Sequence, residues 1–177
     1  SQGVAFDSSK LKRNFYASSS CGVCGKASID SIRTHAPLLK ADFQIGVENL
    51  YGLQDVFRDS QKVFEQTGSL HGAALFDPQG ELLTVREDVG RHNAVDKLVG
   101  AYILESRLPP EDVLLMVSGR TSFEIVQKAL FARIPVVVAV SAGSTLALDL
   151  AQESQMTLIG FTRGKNMTVY TCSERIG

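Results

Sequence analysis

Val113-Leu114-Leu115-Met116-Val117-Ser118-Gly119-Arg120 decides the fold. Five consecutive apolar residues without alternation predict a strand covered on both faces, and Ser-Gly-Arg predicts a sharp turn after it. The unit repeats downstream. Phe123, Ile125, Val126, Ala129 and Leu130 have helical spacing, and Pro135-Val136-Val137-Val138-Ala139-Val140 is a second buried strand. Ser141-Ala142-Gly143-Ser144-Thr145 turns into a helix over Leu146 to Gln152, and Met156 to Phe161 is the next strand. After Thr162-Arg163-Gly164-Lys165-Asn166, Met167 to Thr171 closes the sheet. Upstream, Pro109-Pro110 ends a helix whose apolar face carries Ala94, Val95, Leu98, Val99, Tyr102 and Ile103. Before it, Gly72 to Phe76, the turn Asp77-Pro78-Gln79-Gly80 and Leu82 to Val85 predict a hairpin. Strand, helix, strand, helix, strand implies right-handed crossovers, so the expected class is α/β: a mixed sheet with helices packed on it.

The chain has 177 residues, 44% hydrophobic, with a net charge of -1. That supports one core, so a single α/β domain over 1–177 is expected, its regular part over about 55–177. Such a charge gives no bulk attraction to nucleic acid or to an anionic membrane. No apolar run approaches the ~20 residues of a membrane span, and no charged-then-apolar leader is visible, so the chain reads as cytoplasmic. It begins at Ser1, as a processed or truncated part of something longer would.

Residues 1–17 read as an irregular polar arm that Phe6, Phe15 and Tyr16 dock. It leads into Ser18-Ser19-Ser20-Cys21-Gly22-Val23-Cys24-Gly25-Lys26, an expected exposed, mobile loop, the arm and loop together covering about 1–30. Two thiols there, with Lys26 near them, suit a lowered thiol pKa and a nucleophilic thiolate. Four uses stay open: a structural disulfide, a zinc knuckle, a thioredoxin-like pair, and a thiol that carries or transfers a group. A third cysteine, Cys172, and three scattered histidines, His35, His71 and His92, do not make a zinc set, so no metal is expected. The segments around Ile29 to Ile32 and Pro37 to Leu39 predict no strong element, whereas Asp55 to Gln66 predicts an amphipathic helix on Val56, Val63 and Phe64, stopped by Thr67-Gly68.

In sheets of this class ligands collect beyond the carboxyl ends of the strands. Ser118-Gly119-Arg120, Ser141-Ala142-Gly143-Ser144 and Arg163-Gly164-Lys165 all fall there, where glycine lets amides approach a phosphate and the cations supply charge. The competing possibility is serines that cap helices beside solvated cations. His92, between Arg91 and Asn93 at a helix start, is a ligand-contact candidate, and His71 opens the first strand as an edge histidine or a ligand contact. Neither the G-x-G-x-x-G nor the G-x-x-x-x-G-K-[ST] pattern occurs.

Ser20-Cys21-Gly22-Val23-Cys24-Gly25, Thr67-Gly68-Ser69-Leu70-His71-Gly72-Ala73, Glu87-Asp88-Val89-Gly90-Arg91-His92-Asn93-Ala94-Val95-Asp96-Lys97, Ser118-Gly119-Arg120 and Gly160-Phe161-Thr162-Arg163-Gly164 together resemble the FdhD formate dehydrogenase accessory proteins. The resemblance implies a cytidine deaminase-like fold and a sulfurtransferase. That activity would relay persulfide sulfur from a cysteine desulfurase to the molybdenum (or tungsten) bis-pterin guanine dinucleotide cofactor of formate dehydrogenase. Cys21 would carry the persulfide and Cys24 would assist. The family's cofactor-binding segment falls on Phe161, Thr162, Arg163, Gly164, Lys165 and Asn166, beside the turn Ser118, Gly119, Arg120 and His92. Expected partners are the desulfurase, the formate dehydrogenase apoenzyme and a second copy in a homodimer, with GDP-like nucleotides as mimics of the cofactor. Two departures stand out: the family's region upstream of the cysteine loop is not in this chain, and Gly143 stands where many members have proline.

Two other classes compete with sulfur transfer. A hydrolytic deaminase needs H-x-E followed by P-C-x-x-C, but His71-Gly72-Ala73 lacks the Glu and the C-x-x-C precedes the histidine. A non-catalytic chaperone that delivers the cofactor would not need Cys21.

Overall fold

The computed structural model describes Leu38, Leu39 and residues 43–177, all within the unit His35–Gly177. The expectations for the polar arm, Cys21 and Cys24 lie outside the described residues. Six strands form one sheet: β1 (His71–Phe76), β2 (Leu82–Asp88), β3 (Leu114–Val117), β4 (Val136–Ala139), β5 (Thr157–Arg163) and β6 (Asn166–Thr171). Their spatial order is β2-β1-β3-β4-β5-β6, with β3, β4 and β5 parallel and every other pairing antiparallel. The mixed α/β class expected from the buried runs is therefore what the chain builds.

The middle strands are apolar throughout because both faces are covered. On one face Ala74, Phe76, Leu114, Met116, Val136, Val138 and Ile159 pack with Ile45, Leu50, Leu53 and Phe57. Those last residues come from the segment that holds α1 (Val47–Leu50) and α2 (Leu53–Ser60). By the two-residue period of a strand, the buried Ala73, Leu75, Leu115, Val117, Val137, Ala139 and Leu158 point to the other face. There α4 (Arg91–Leu104) contacts β1 and β2, α6 (Thr145–Glu153) contacts β5 and β6, and α5 (Phe123–Phe131) packs between those two helices.

The helix expected over Asp55 to Gln66 is two helices. Gln61, at φ -84° and ψ 75°, separates α2 from α3 (Lys62–Thr67). The apolar stripe is Leu53 and Phe57, both buried, while Val56 and Val63 are exposed. Burying a side chain of that size stabilises by about 1.5–3 kcal/mol, so α2 is anchored by its core face. No side chain of α3 is buried; Glu87 of β2 holds it instead, its carboxylate accepting from the Val63 N–H (3.0 Å) and the Phe64 N–H (2.7 Å) at the open helix start.

The three longest helices among the described residues share one ending. After α4, α5 and α6 the residues Ser106, Arg133 and Gln155 adopt φ values of 58°, 60° and 58°. The next N–H folds back each time: Arg107 to Tyr102 O, Ile134 to Ala129 O, Met156 to Ala151 O.

Candidate functional site

Because β3, β4 and β5 run parallel, the turns that follow them open on one edge of the sheet, and antiparallel β1 begins at that edge. Backbone hydrogen bonds lace the turns together. The Thr121 N–H reaches Ala142 O (3.0 Å), the Ser144 N–H reaches Thr121 O (3.0 Å), and the Phe161 N–H reaches Ser141 O (3.3 Å). Ser144 does cap its helix, accepting from the Ala147 N–H at 3.3 Å. Gly160 is needed for this closeness, since a Cβ there would lie 2.9 Å from Ser141 O and 2.7 Å from Tyr170 Cε2. At Gly143 a Cβ would meet the end of Leu148, at 2.7 Å from Cδ1.

The segment 161–166 divides into two kinds of residue. Thr162 is buried, and its hydroxyl donates to Ala139 O at 2.6 Å, so it fastens β5 to the end of β4. Phe161 stands 53% exposed with φ 53°, at an irregularity between Gly160 and Arg163 where the β5–β6 register shifts. A non-glycine residue held in that region stores strain that surrounding contacts must offset. Arg163, Gly164 (φ 58°), Lys165 and Asn166 form the exposed hairpin tip, with Lys165 Nζ 5.9 Å from the Tyr51 ring centroid. No described carboxylate pairs with Arg120, Arg163 or Lys165. Two exposed cations on a glycine turn form an edge suited to phosphate.

On the β1 side, His71 Nδ1 lies 3.2 Å from Ser118 Oγ, which accepts the Gly72 N–H at 3.0 Å. Gly119 is flanked by this imidazole and by Arg91: a Cβ there would sit 3.5 Å from the His71 ring and 3.4 Å from Arg91 Cδ. Arg91 Nε is buried without a partner. Sequence reading named Arg91 only as a polar neighbour of His92 and missed Gln61. Gln61, 5% exposed, stands four residues after Phe57 and eight after Leu53 on the same stripe, so a polar residue in an apolar register was the available signal.

His92 is placed differently from its neighbours in sequence. Its Nε2 lies 3.1 Å from Ser122 Oγ and its Nδ1 3.4 Å from Glu124 Oε2, so both ring nitrogens face partners at the start of α5. Desolvation pushes its pKa below the ordinary value against the opposing pull of Glu124. It joins α4 to α5. Asp88 organises the other side of that helix start, accepting from the Gly90 N–H (2.9 Å) and Asn93 Nδ2 (3.1 Å) and pairing with Lys97 Nζ (2.6 Å).

The description FdhD/NarQ family belongs to the family model that matches residues 2–177. The Sulfur carrier protein FdhD of Streptomyces coelicolor is 54% identical over 177 residues, covering 98% of this chain and 63% of that protein. Its namesake in Saccharolobus solfataricus is 46% identical over 164 residues, 93% of this chain and 62% of that protein. Among solved structures, a formate dehydrogenase accessory protein from Desulfotalea psychrophila superposes with a TM-score of 0.73 at 31% identity, covering 83% of this chain and 62% of that one. The chain thus spans somewhat under two thirds of the length of these relatives.

Proposed function

We propose, from the premise that this chain belongs to the FdhD/NarQ family, that it acts in sulfur transfer for the maturation of formate dehydrogenase. The observation that carries this is the 54% identity, over 98% of the chain, to a protein named as a sulfur carrier. In finer terms the chain is a sulfurtransferase, working as a cytoplasmic homodimer. It takes sulfur from a cysteine desulfurase and passes it to the molybdenum or tungsten bis-pterin guanine dinucleotide destined for the formate dehydrogenase apoenzyme.

Loading is a redox-neutral exchange: the Cys21 thiolate attacks the outer sulfur of the donor's persulfide, and the donor cysteine leaves as thiolate. Delivery as sulfide needs two electrons. Attack of the Cys24 thiolate on the inner sulfur of Cys21 supplies them, forming a Cys21–Cys24 disulfide and expelling hydrosulfide. Arg163 and Lys165 at the hairpin tip, with the amides of Gly164 and of the Ser118-Gly119-Arg120 turn, would hold the phosphates of the acceptor. Phe161 offers its exposed ring beside them. Thr162 contributes from behind, by fixing the strand.

The test is mass spectrometry of the protein after incubation with a desulfurase and cysteine. One added sulfur should map to the peptide with Cys21 and be absent from Cys21→Ala. Formate dehydrogenase activity sustained by Cys21→Ala in cells would replace the relay with a cofactor chaperone. The acceptor half is tested separately, with GDP as a fragment. GDP should raise the melting temperature by mass action, and Arg163→Ala should weaken it by roughly ten- to a hundred-fold, the worth of one charge-assisted contact, with loading on Cys21 intact. Equal binding by both forms would remove the hairpin from the site.

A further inference from the structure

We propose a second anion subsite at the sheet edge: the cleft under α3 takes a phosphate-type oxyanion on Gln61, His71 and Ser118. The cleft encloses about 320 Å³ between α3 and the start of β1, with Phe64 and Leu70 on its apolar side and those three residues on its polar side. It shares Ser118 with the proposed cofactor edge, but it does not need that reading to be right.

Three observations converge on the ligand's chemistry. Gln61 Nε2 is a donor on a residue only 5% exposed, and it has no partner. Buried donors left unserved are few in native proteins, so one that lines a cleft points to a visiting acceptor. Its amide and the Ser118 hydroxyl meet at Gly72. A Cβ on Gly72 would come within 2.6 Å of Gln61 Nε2, while the Gly72 N–H already donates to Ser118 Oγ.

The second observation is the His71–Ser118 couple, 3.2 Å apart. With the Gly72 N–H filling one lone pair of Oγ, the couple shares one proton internally and keeps another for a ligand. If Ser118 donates to Nδ1, then His71 offers Nε2–H; if Nδ1–H donates to Ser118, the serine hydroxyl is left to turn outward. Either tautomer therefore presents a donor. The third observation is charge. No described carboxylate lines the cleft, and Arg91, its Nε buried and unpaired, lies against Gly119 next to His71. An amide donor, an imidazole–hydroxyl couple and a neighbouring guanidinium without an acid among them suit an oxyanion and not a metal ion. The room beyond one phosphate lets the group arrive on a larger molecule or as a free ion.

The experiment titrates the ¹⁵N-labelled full chain with pyrophosphate, inorganic phosphate and GDP in parallel, on wild type and Gln61→Leu. Pyrophosphate should shift the Gln61 side-chain amide and the Gly72 amide together, and Gln61→Leu should raise its Kd by about ten-fold. Should Gln61→Leu fail to fold, the wild-type Gln61 and Gly72 shifts decide the matter alone. Saturation by inorganic phosphate with the same shifts identifies the single free ion as a sufficient ligand; the same shifts from pyrophosphate and GDP but not from inorganic phosphate assign the site to a diphosphate-type group. Pyrophosphate binding that persists when GDP fails to bind keeps this subsite and removes the cofactor reading. Shifts confined to Arg163–Lys165, or an unmoved Gln61 amide at millimolar pyrophosphate, overturn the subsite and leave the hairpin as the only anion edge.

Discussion

Asp88 gathers three polar partners, the Gly90 N–H, Asn93 Nδ2 and Lys97 Nζ. The Lys97 hydrogen bond, then those from Gly90 and Asn93, hold its pKa at about 2, against an ordinary 3.8. A depressed carboxylate pKa means stability that is full above the unfolded value and is lost as pH falls through the folded one. Asp88→Asn should therefore melt below wild type at neutral pH, and the gap should close between about pH 4 and about pH 2; a gap constant across that window would assign the loss to packing instead. Single residues are also where sequence reading was weakest. Glu87 to Asn93 was legible as a dense polar run at a helix start, but the partners that engage His92, Ser122 and Glu124, come from a helix some thirty positions on. Gln61 failed to stand out because the stripe was laid on Val56, Val63 and Phe64 rather than on Leu53 and Phe57.

Elements were more legible than their ends. The runs at 113–117 and 135–140 gave β3 and β4 because a strand covered on both faces has no other common composition. The helix endings carry no glycine signal: Ser106, Arg133 and Gln155 stand where a left-handed conformation usually selects glycine. The backbone bonds of each cap form regardless, so the conformational cost is retained in the native state. Ser106→Gly and Gln155→Gly should each stabilise by about 0.5–1 kcal/mol, the left-handed penalty less the added freedom of glycine when unfolded. Arg133→Gly should gain least, because it also gives up an exposed pair with Glu111 at 3.4 Å. Thermal unfolding of the single and triple variants checks this. Each cap uses its own carbonyls, so the gains should add.

At the scale of the molecule, composition and repeating units announced an α/β sheet, but not that the first hairpin would add beside β3 and leave β2 at the edge. That order is decided by which apolar faces meet, namely Ala74 and Phe76 against Met116 and Leu114. It also leaves one segment outside the core. Between Gln61 and Gly68 the chain buries no side chain in α3 and is tied down by Glu87, whereas α2 before it and β1 after it are sealed into the same apolar cluster. Trypsin under native conditions should therefore cut after Lys62 before any other described site, with the products read by mass spectrometry. The two pieces should still elute as one particle, because Leu53 and Phe57 stay seated on the sheet. This chain has a seam: separately expressed halves, each fused to half of a reporter, would find one another through that face, and their reassembly would report on the integrity of the fold in a living cell.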